Sequence, residues 1–248
     1  DPWLDLKGAS GNRFPTLPEI CGWDRYRPLS EQPGTGLRTL HYVYVGLPAT
    51  KPGDCMGHYI GRRGTRTLLH APRTARAIGR ELNVFVTVRL WQLGCDEWTA
   101  AKHTRAIRSD WFARWSRRDA KGGIFPKNGA PTHTGVIEAD GGVHMHWMLH
   151  IRPENIDWFK QSLSARLKRQ FKLTELPEGA LDIRSAPNPE GLKLYFAKSV
   201  EPRYGRAWGI RPGGGGYVNG RRVWTSLNLG PAHWMPRRDA YRAALRGA

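Results

Sequence analysis

The sequence predicts an α+β fold in which helices pack on a central antiparallel β-sheet. Two kinds of periodicity predict it: apolar and polar residues alternate in strands, and apolar residues recur every three or four positions in helices. The predicted core elements are, in order, strand 83–93, helix 96–118, strands 134–139 and 143–151, helix 154–171, strand 180–185 and helix 188–200. This order contains a β-α-β-β-α-β unit, which forms an antiparallel sheet with helices on one face.

The first strand, with the sequence NVFVTVRLWQL, gives the strongest strand signal in the chain. Because successive side chains of a strand point to opposite faces, its Phe85, Thr87, Arg89 and Trp91 share one face. Helices are expected on the other face of the sheet. We therefore expect this face to be open as a binding surface.

Short signals mark the helix boundaries. Asp96 is a residue type that caps helix N-termini, and it precedes helix 96–118. Asn188 and Pro189 together are a strong signal for the start of a helix. This helix is predicted to end at about Val200, because Pro202 cannot continue it.

The 248 residues suffice for one large domain and a substantial extension. We assign residues 1–82 to a partly irregular N-terminal extension and residues 83–248 to the domain, which ends in a basic segment. Within the extension, residues 72–82 predict a helix with Pro72 in its first turn. The arginines at 73, 76 and 80 form either a phosphate-facing stripe or a solvated face.

The charge of the chain indicates a polyanionic partner. The sequence has 39 Lys and Arg against 21 Asp and Glu, a formal net charge of +18. Such an excess repels itself in a compact state unless an anion compensates it. The 11 tryptophans and 8 tyrosines are interspersed with arginines, and flat rings beside guanidinium groups suit unstacked bases. We expect a single-stranded nucleic acid.

Three other classes of protein are disfavoured: membrane proteins, disulfide-rich proteins and ATPases. No apolar run approaches the roughly 18 residues that a membrane span needs, and no signal peptide is recognisable, so we expect no membrane partner. The three widely spaced cysteines do not make a disulfide framework and favour a cytoplasmic location. No GxxxxGK phosphate loop occurs, so the chain carries no recognisable ATPase.

The clearest chemical signal is the stretch EADGGVHMHWMLH at residues 138–150. As a strand it places His144 and His146 on one face, with uniformly apolar residues on the other. Such a pair is either a hydrogen-bonded core feature or a ligand pair for a metal ion, since neutral imidazole is a common ligand. A hairpin turn precedes this strand, and it would place Glu138 of the preceding strand beside the histidines as a third ligand. Asp140, in the turn itself, is the competing candidate.

Helix 188–200 carries a second candidate group. Tyr195 and Lys198 are three residues apart and so share one helical face. They are either a core tyrosine beside a solvated lysine, or a reactive pair that the helix lays over the histidines.

Three motifs in this order, FVTV, HMH and YFAK, resemble the HUH endonuclease family, and in particular the rolling-circle replication initiators with one catalytic tyrosine. The resemblance covers residues 83–200 and implies a ferredoxin-like HUH fold. It implies that Tyr195 is the nucleophile, that His144, His146 and Glu138 bind the metal ion, and that Lys198 assists at the scissile phosphate. Two imidazoles and a carboxylate suit Mn²⁺ better than Mg²⁺, which prefers oxygen ligands.

Proteins of this family nick single-stranded DNA at a plasmid or phage replication origin and keep the 5′ end as a phosphotyrosine. The resemblance therefore implies origin DNA as the partner, together with a host helicase. We assign DNA contacts to four residues: Thr87, Arg89, Trp91 and Arg184.

Two alternatives remain open. The chain could be another HUH enzyme, a transposase or a relaxase, although relaxases usually place the tyrosine before the histidines. It could also be a non-catalytic module that binds single-stranded nucleic acid on exposed sheet aromatics.

Overall fold

The structure is a computed structural model that describes residues 57–118, 127–211 and 213–247. Among these residues five strands form one antiparallel sheet in the order β4-β1-β3-β2-β5. The strands are β1 (Val84–Val88), β2 (His133–Glu138), β3 (His144–Leu149), β4 (Leu181–Ser185) and β5 (Val223–Thr225). The predicted α+β class and the antiparallel sheet are confirmed.

Six helices accompany the sheet in the described part of the chain. They are α1 (Arg62–Ala77), α2 (residues 100–115), α3 (Ile156–Phe171), α4 (Pro189–Phe196), α5 (Pro202–Ala207) and α6 (Pro231–Gly247). Helix α2 is continuous but contains a π-helical segment, Ala106–Phe112, between two α-helical pieces. Asp96 accepts hydrogen bonds from the backbone of Trp98 and Thr99 in the turn before α2. None of the helices in the described ranges is both long and apolar enough to cross a membrane.

The main hydrophobic core lies between the sheet and the helices α2 and α3. Alternate residues of β1 and β3 point into it, among them Val86 and Trp147, which are completely buried. Phe112 of α2 and Phe159 of α3 meet the indole of Trp147 with ring centroids 5.0 and 6.5 Å apart. Aromatic burial of this size dominates the stability of such a layer.

The opposite face of the sheet is covered, and the prediction of an open face is wrong. Helix α4 lies on it, since Phe196 contacts Phe85 of β1 at 5.8 Å between ring centroids. Helix α1 packs against β2, β5 and α4. On this face Val136 and Met148 are completely buried.

Helix α1 begins earlier than the sequence predicts, and Pro72 lies inside it rather than in its first turn. Small residues let it approach the sheet: Thr65, Ala71 and Ala75 are fully buried beside Leu68. The helix lies within the part of the chain assigned to the N-terminal extension, and it belongs to the same compact unit as the sheet. The sequence LRTLHYVYVGL at residues 37–47 predicts a further strand, which lies outside the described residues.

The predicted strand 83–93 is too long, because β1 ends at Val88. The pairing with both neighbouring strands ends at this residue, since Val88 pairs with Met145 of β3 on one side and with Leu181 of β4 on the other. The chain turns into a 3-10 helix, Leu90–Leu93, which buries Leu90 and Leu93. Arg89 and Trp91 therefore do not lie on the strand.

Gly135 of β2 gives a direct test of the sheet packing. A Cβ atom there would lie 2.3 Å from the Trp224 indole and 2.7 Å from the carbonyl oxygen of His146. We expect Gly135→Ala to destabilise the fold by about 3 kcal/mol, measured by urea unfolding, because the strand backbone cannot move aside. Gly61→Ala is the control, since nothing lies within 4 Å of its added Cβ; it should cost less than about 1 kcal/mol. Equal stability of the two variants would contradict the packing of Trp224 on Gly135.

His133 of β2 should make the fold sensitive to acid. Burial, and secondarily Arg108, lowers the pKa of His133 from 6.5 to about 3. The unfolded chain therefore binds this proton first, and stability falls as the pH drops from 6.5 towards 3, by up to about 1.4 kcal/mol per pH unit. We expect His133→Phe to flatten the pH dependence of the unfolding free energy in this window. His233→Gln, at an exposed position, should leave the wild-type slope, and an unchanged slope in His133→Phe would refute the assignment.

Candidate metal centre

Three side chains, Glu138, His144 and His146, converge on the covered face of the sheet. The β2–β3 hairpin places them there, because Glu138 pairs directly with His144 and Val136 pairs with His146. The turn between the strands needs glycine, since Gly141 and Gly142 have φ angles of +70° and +110°. The local sequence therefore fixes the register that brings the carboxylate beside the imidazoles.

The geometry of the cluster fits a metal ion. The Nε2 atoms of His144 and His146 each lie 3.3 Å from Oε2 of Glu138, and the two ring centroids are 4.7 Å apart. Each residue offers one ligand atom, and these atoms lie within 4.8 Å of one another. The three residues could hold a metal ion.

Asp140, the competing third ligand, lies in the exposed hairpin turn. Its carboxylate faces Gly214 of the neighbouring loop. The convergent cluster includes Glu138 in its place.

The protonation of the cluster also suits a cation. Burial alone would raise the pKa of Glu138, but contact with His144 and His146 and the charge of Lys198 hold this pKa well below its usual value. Burial lowers the pKa of His146 to about 4, against the opposing effect of Glu138. At neutral pH the cluster therefore presents a carboxylate beside a neutral His146, and metal ligands must be deprotonated in this way.

The buried oxygen Oε2 of Glu138 gives a further indication. Nε2 of His144 and of His146 lie 3.3 Å from it, and Nζ of Lys198 lies 2.8 Å from it. Oε2 is therefore the atom on which the cluster converges. A bound metal ion would compete with the Lys198 ammonium for this oxygen.

Outer contacts hold the ligand side chains in place. His146 is hydrogen-bonded through Nδ1 to the Thr87 hydroxyl at 3.1 Å, and His144 donates from Nδ1 to the carbonyl of Gly142 at 2.8 Å. The Ser199 hydroxyl donates to Oε1 of Glu138 at 3.2 Å. Both Nε2 atoms and Oε2 are left facing the centre, an arrangement typical of the outer shell of metal sites.

Tyr195 lies against the cluster. Its hydroxyl is 3.0 Å from Nε2 of His146, and the two rings meet edge to face with centroids 5.0 Å apart. The side chain is 7% exposed. Asn188 caps the helix that carries it, through a 2.9 Å bond to the amide of Gly191.

Lys198 also reaches the cluster, but not from a helical face as the sequence predicts. Helix α4 ends at Phe196, since the backbone of Ala197 (φ −89°, ψ 0°) leaves the helical region. Lys198 lies in the following turn, with its Nζ 2.8 Å from Oε2 of Glu138 and 4.3 Å from the Tyr195 ring centroid. The turn therefore aims the ammonium group at the carboxylate and the phenol together.

The residues predicted to contact DNA are dispersed. Thr87 lies inside the site, where its hydroxyl bonds His146. The Arg89 guanidinium donates to the carbonyl of Gly179, in the loop before β4. Trp91 is 47% exposed and packs on Gly142 of the hairpin turn, while Arg184 lies on the edge strand beside Asp182, at 2.7 Å. Arg89 is therefore engaged within the protein, and Trp91 and Arg184 are the two at the surface.

Ser199 and Arg222 are not among the predicted site residues. Buried Arg222 donates to backbone carbonyls of Ile137, Gly57, Gly215 and Gly216. It thereby holds the glycine-rich segment 213–216 against the end of β2, next to Lys198 and Ser199. The run of glycines is the one sequence signal for this close packing.

Comparisons with protein-family models, with curated proteins and with solved structures each found no match. The geometry and the chemistry of the residues therefore carry the functional argument.

The metal site can be tested by titrating the protein with Mn²⁺ in a calorimeter. We expect Glu138→Gln to weaken binding at least about tenfold, since the amide has no charge to offer the cation. Asp140→Asn should bind like the wild type, because this carboxylate lies outside the cluster. Equal affinity of wild type and Glu138→Gln, or loss of binding in Asp140→Asn alone, would contradict the assignment.

Proposed function

We propose that this protein is a metal-dependent endonuclease that nicks and rejoins single-stranded DNA through a covalent bond to Tyr195. We further propose that it is a rolling-circle replication initiator of the HUH type. One observation carries the proposal: the Tyr195 hydroxyl lies 3.0 Å from His146 in a cluster of two imidazoles and a carboxylate.

The reaction is a phosphoryl transfer. The Tyr195 phenol releases its proton to solvent and its oxygen forms a bond to phosphorus. The bond from phosphorus to the 3′ oxygen breaks, and the 3′ oxygen takes a proton from solvent to give the 3′ hydroxyl. The 5′ end remains on the tyrosine as a phosphodiester. Because the number of phosphodiester bonds does not change, the reverse reaction can rejoin a strand without ATP.

Each side chain has a role in this scheme. Glu138, His144 and His146 would hold a divalent ion, Mn²⁺ or Mg²⁺, which draws charge from the non-bridging phosphate oxygens. A phenol has an ordinary pKa near 10 and reacts as its anion, so it needs a nearby positive charge. The Lys198 ammonium, 4.3 Å from the Tyr195 ring centroid, would supply it.

The fold supports the proposal. Strands β1 to β4 lie in the order β4-β1-β3-β2, with α2 after β1 and α3 after β3. A ferredoxin-like β-α-β-β-α-β unit has this order of elements, and the HUH fold is of this kind. The histidines lie on a central strand of the sheet, and the tyrosine lies on a helix over it.

The proposed partner is inferred from the net charge of the chain and from the exposure of Trp91. A net charge of +18 favours a nucleic acid, and exposed Trp91 lies beside the hairpin turn that precedes His144. We propose origin single-stranded DNA as the substrate, with Trp91 and Arg184 as contacts. Since the sequence has no recognisable ATPase motif, unwinding would fall to a separate helicase.

The decisive experiment is a covalent-adduct assay. The purified protein is incubated with Mn²⁺ and a pool of random single-stranded oligonucleotides, and the products are resolved on a denaturing gel and sequenced at the cut. We expect a protein–DNA adduct in the wild type and none in Tyr195→Phe, because the attacking oxygen is gone. The sequenced cuts would also give the recognition site.

The matched control is Tyr204→Phe, a tyrosine on α5 that stacks on Trp208. It should form the adduct at the wild-type rate. An adduct that persists in Tyr195→Phe would refute the nucleophile, and metal-independent binding without cleavage would identify a non-catalytic binding module.

A further inference from the structure

Helices α1 and α6 meet at a second site of concentrated positive charge. The His70 ring of α1 stacks on the Trp234 indole of α6, with centroids 4.1 Å apart and planes 9° from parallel. The guanidinium carbons of Arg66 and Arg238 lie 5.5 and 5.6 Å from the centroid of the same indole. The buried Trp234 ring therefore contacts one arginine from each helix and brings the two guanidinium groups close together.

Further arginines extend this cluster along both helices. At 100° per residue, Arg62, Arg66 and Arg73 fall on one stripe of α1. Arg238 and Arg242 are one turn apart on α6. We call these five arginines the basic surface; Arg62, Arg73 and Arg242 are exposed.

Within the described residues, little negative charge compensates this surface. Helix α1 has the sequence RRGTRTLLHAPRTARA, without an acidic residue. Asp239 pairs with Arg238 at 2.6 Å, and Glu190 lies 3.5 Å from Arg73. The excess favours an external polyanion.

The titration of buried groups agrees with this excess. Burial, and then the charges of Arg238, Arg62 and Arg242, lowers the pKa of Arg66. Burial, and then the charges of Arg66, Arg238, Arg73 and Lys193, lowers the pKa of His70 to about 4. The positive potential therefore reaches the contact between the helices.

The form of the surface indicates which polyanion fits. Single strands are held by exposed aromatic rings on which bases stack. Among the described side chains of α1 and α6, the large aromatic ring is that of Trp234, and it is 6% exposed. Rows of arginine on rigid helices instead suit the regular phosphates of a duplex. At 1.5 Å per residue, α1 spans about 24 Å, or roughly 7 base pairs.

We infer that the basic surface binds the phosphate backbone of double-stranded DNA. This inference rests on the proposed function, which makes DNA the relevant polyanion. Helix α1 packs directly on α4, the helix that carries Tyr195. A duplex on the basic surface would therefore lie beside the single strand that is cut.

The test is fluorescence anisotropy with a labelled 16-base-pair DNA duplex of arbitrary sequence, in EDTA and over a range of salt concentrations. The variant is Arg62→Gln/Arg242→Gln, which removes two exposed charges of the basic surface. We expect duplex affinity to fall at least about tenfold, and the slope of log K against log salt to decrease by about 2, one unit per lost phosphate contact. This double variant should show the wild-type melting temperature.

The control Arg105→Gln/Arg169→Gln removes two exposed charges from α2 and α3, on the other side of the sheet. It should retain wild-type affinity and slope. Equal losses in the two double variants would overturn the inference, because they would reflect net charge alone. Unchanged duplex binding in Arg62→Gln/Arg242→Gln would also overturn the inference. The same holds if that variant loses binding to phosphatidylserine vesicles but keeps its duplex binding.

The adduct assay separates this inference from the proposed function. On a short single strand without a stem, Arg62→Gln/Arg242→Gln should form the adduct like the wild type. Loss of duplex binding with a normal adduct supports the basic surface. A missing adduct in the wild type would refute the nuclease and leave the duplex measurement to decide the surface by itself.

Discussion

The pairing of Glu138 with His144 across the β2–β3 hairpin is the contact on which the site depends. A shift of one residue in this register would move the carboxylate to the opposite face of the sheet, into the apolar core. The tight turn at Gly141 and Gly142 fixes the register locally, and the packing of β1 on β3 fixes it again from the other side. The alternation of side chains along the strands therefore brings the carboxylate and the imidazoles to the same face of the sheet.

Burial of this cluster imposes conditions on its surroundings. An ionised carboxylate that is 0% exposed must be compensated by charge or by hydrogen bonds. Lys198 supplies the charge and Ser199 the hydrogen bond, both from the turn after α4. Helix α4 thus has to end where it does, because another helical turn would carry these two side chains away from Glu138. The same helix end positions Tyr195 one turn earlier, so a single segment holds the phenol and the compensating groups.

Much of this site is predictable from local sequence, and the parts that are not depend on distant segments. The hairpin, the histidine face and the cap at Asn188 are local patterns, and each appears where the sequence predicts it. Helix α1 is predicted only from Pro72 onward, because its buried face before that point is built mainly from Thr and Ala beside Leu68, so few large apolar residues mark it. Helices α1 and α4 together cover the sheet face, and of the two only α4 lies in the motif region. The early end of β1 has a similar origin, since it depends on where its partner strands stop.

The buried guanidinium of Arg222 ties together parts of the chain that are far apart in sequence. Its partners include Gly57 and Ile137, which precede it by 165 and 85 positions. A nascent chain that has emerged only as far as Lys198 contains the three motifs but not this arginine or the glycine segment it secures. Closing such long loops is slow. One wall around the cluster therefore completes only after Arg222 has been synthesised, so the order of translation delays the assembly of the cluster beyond the synthesis of its own side chains.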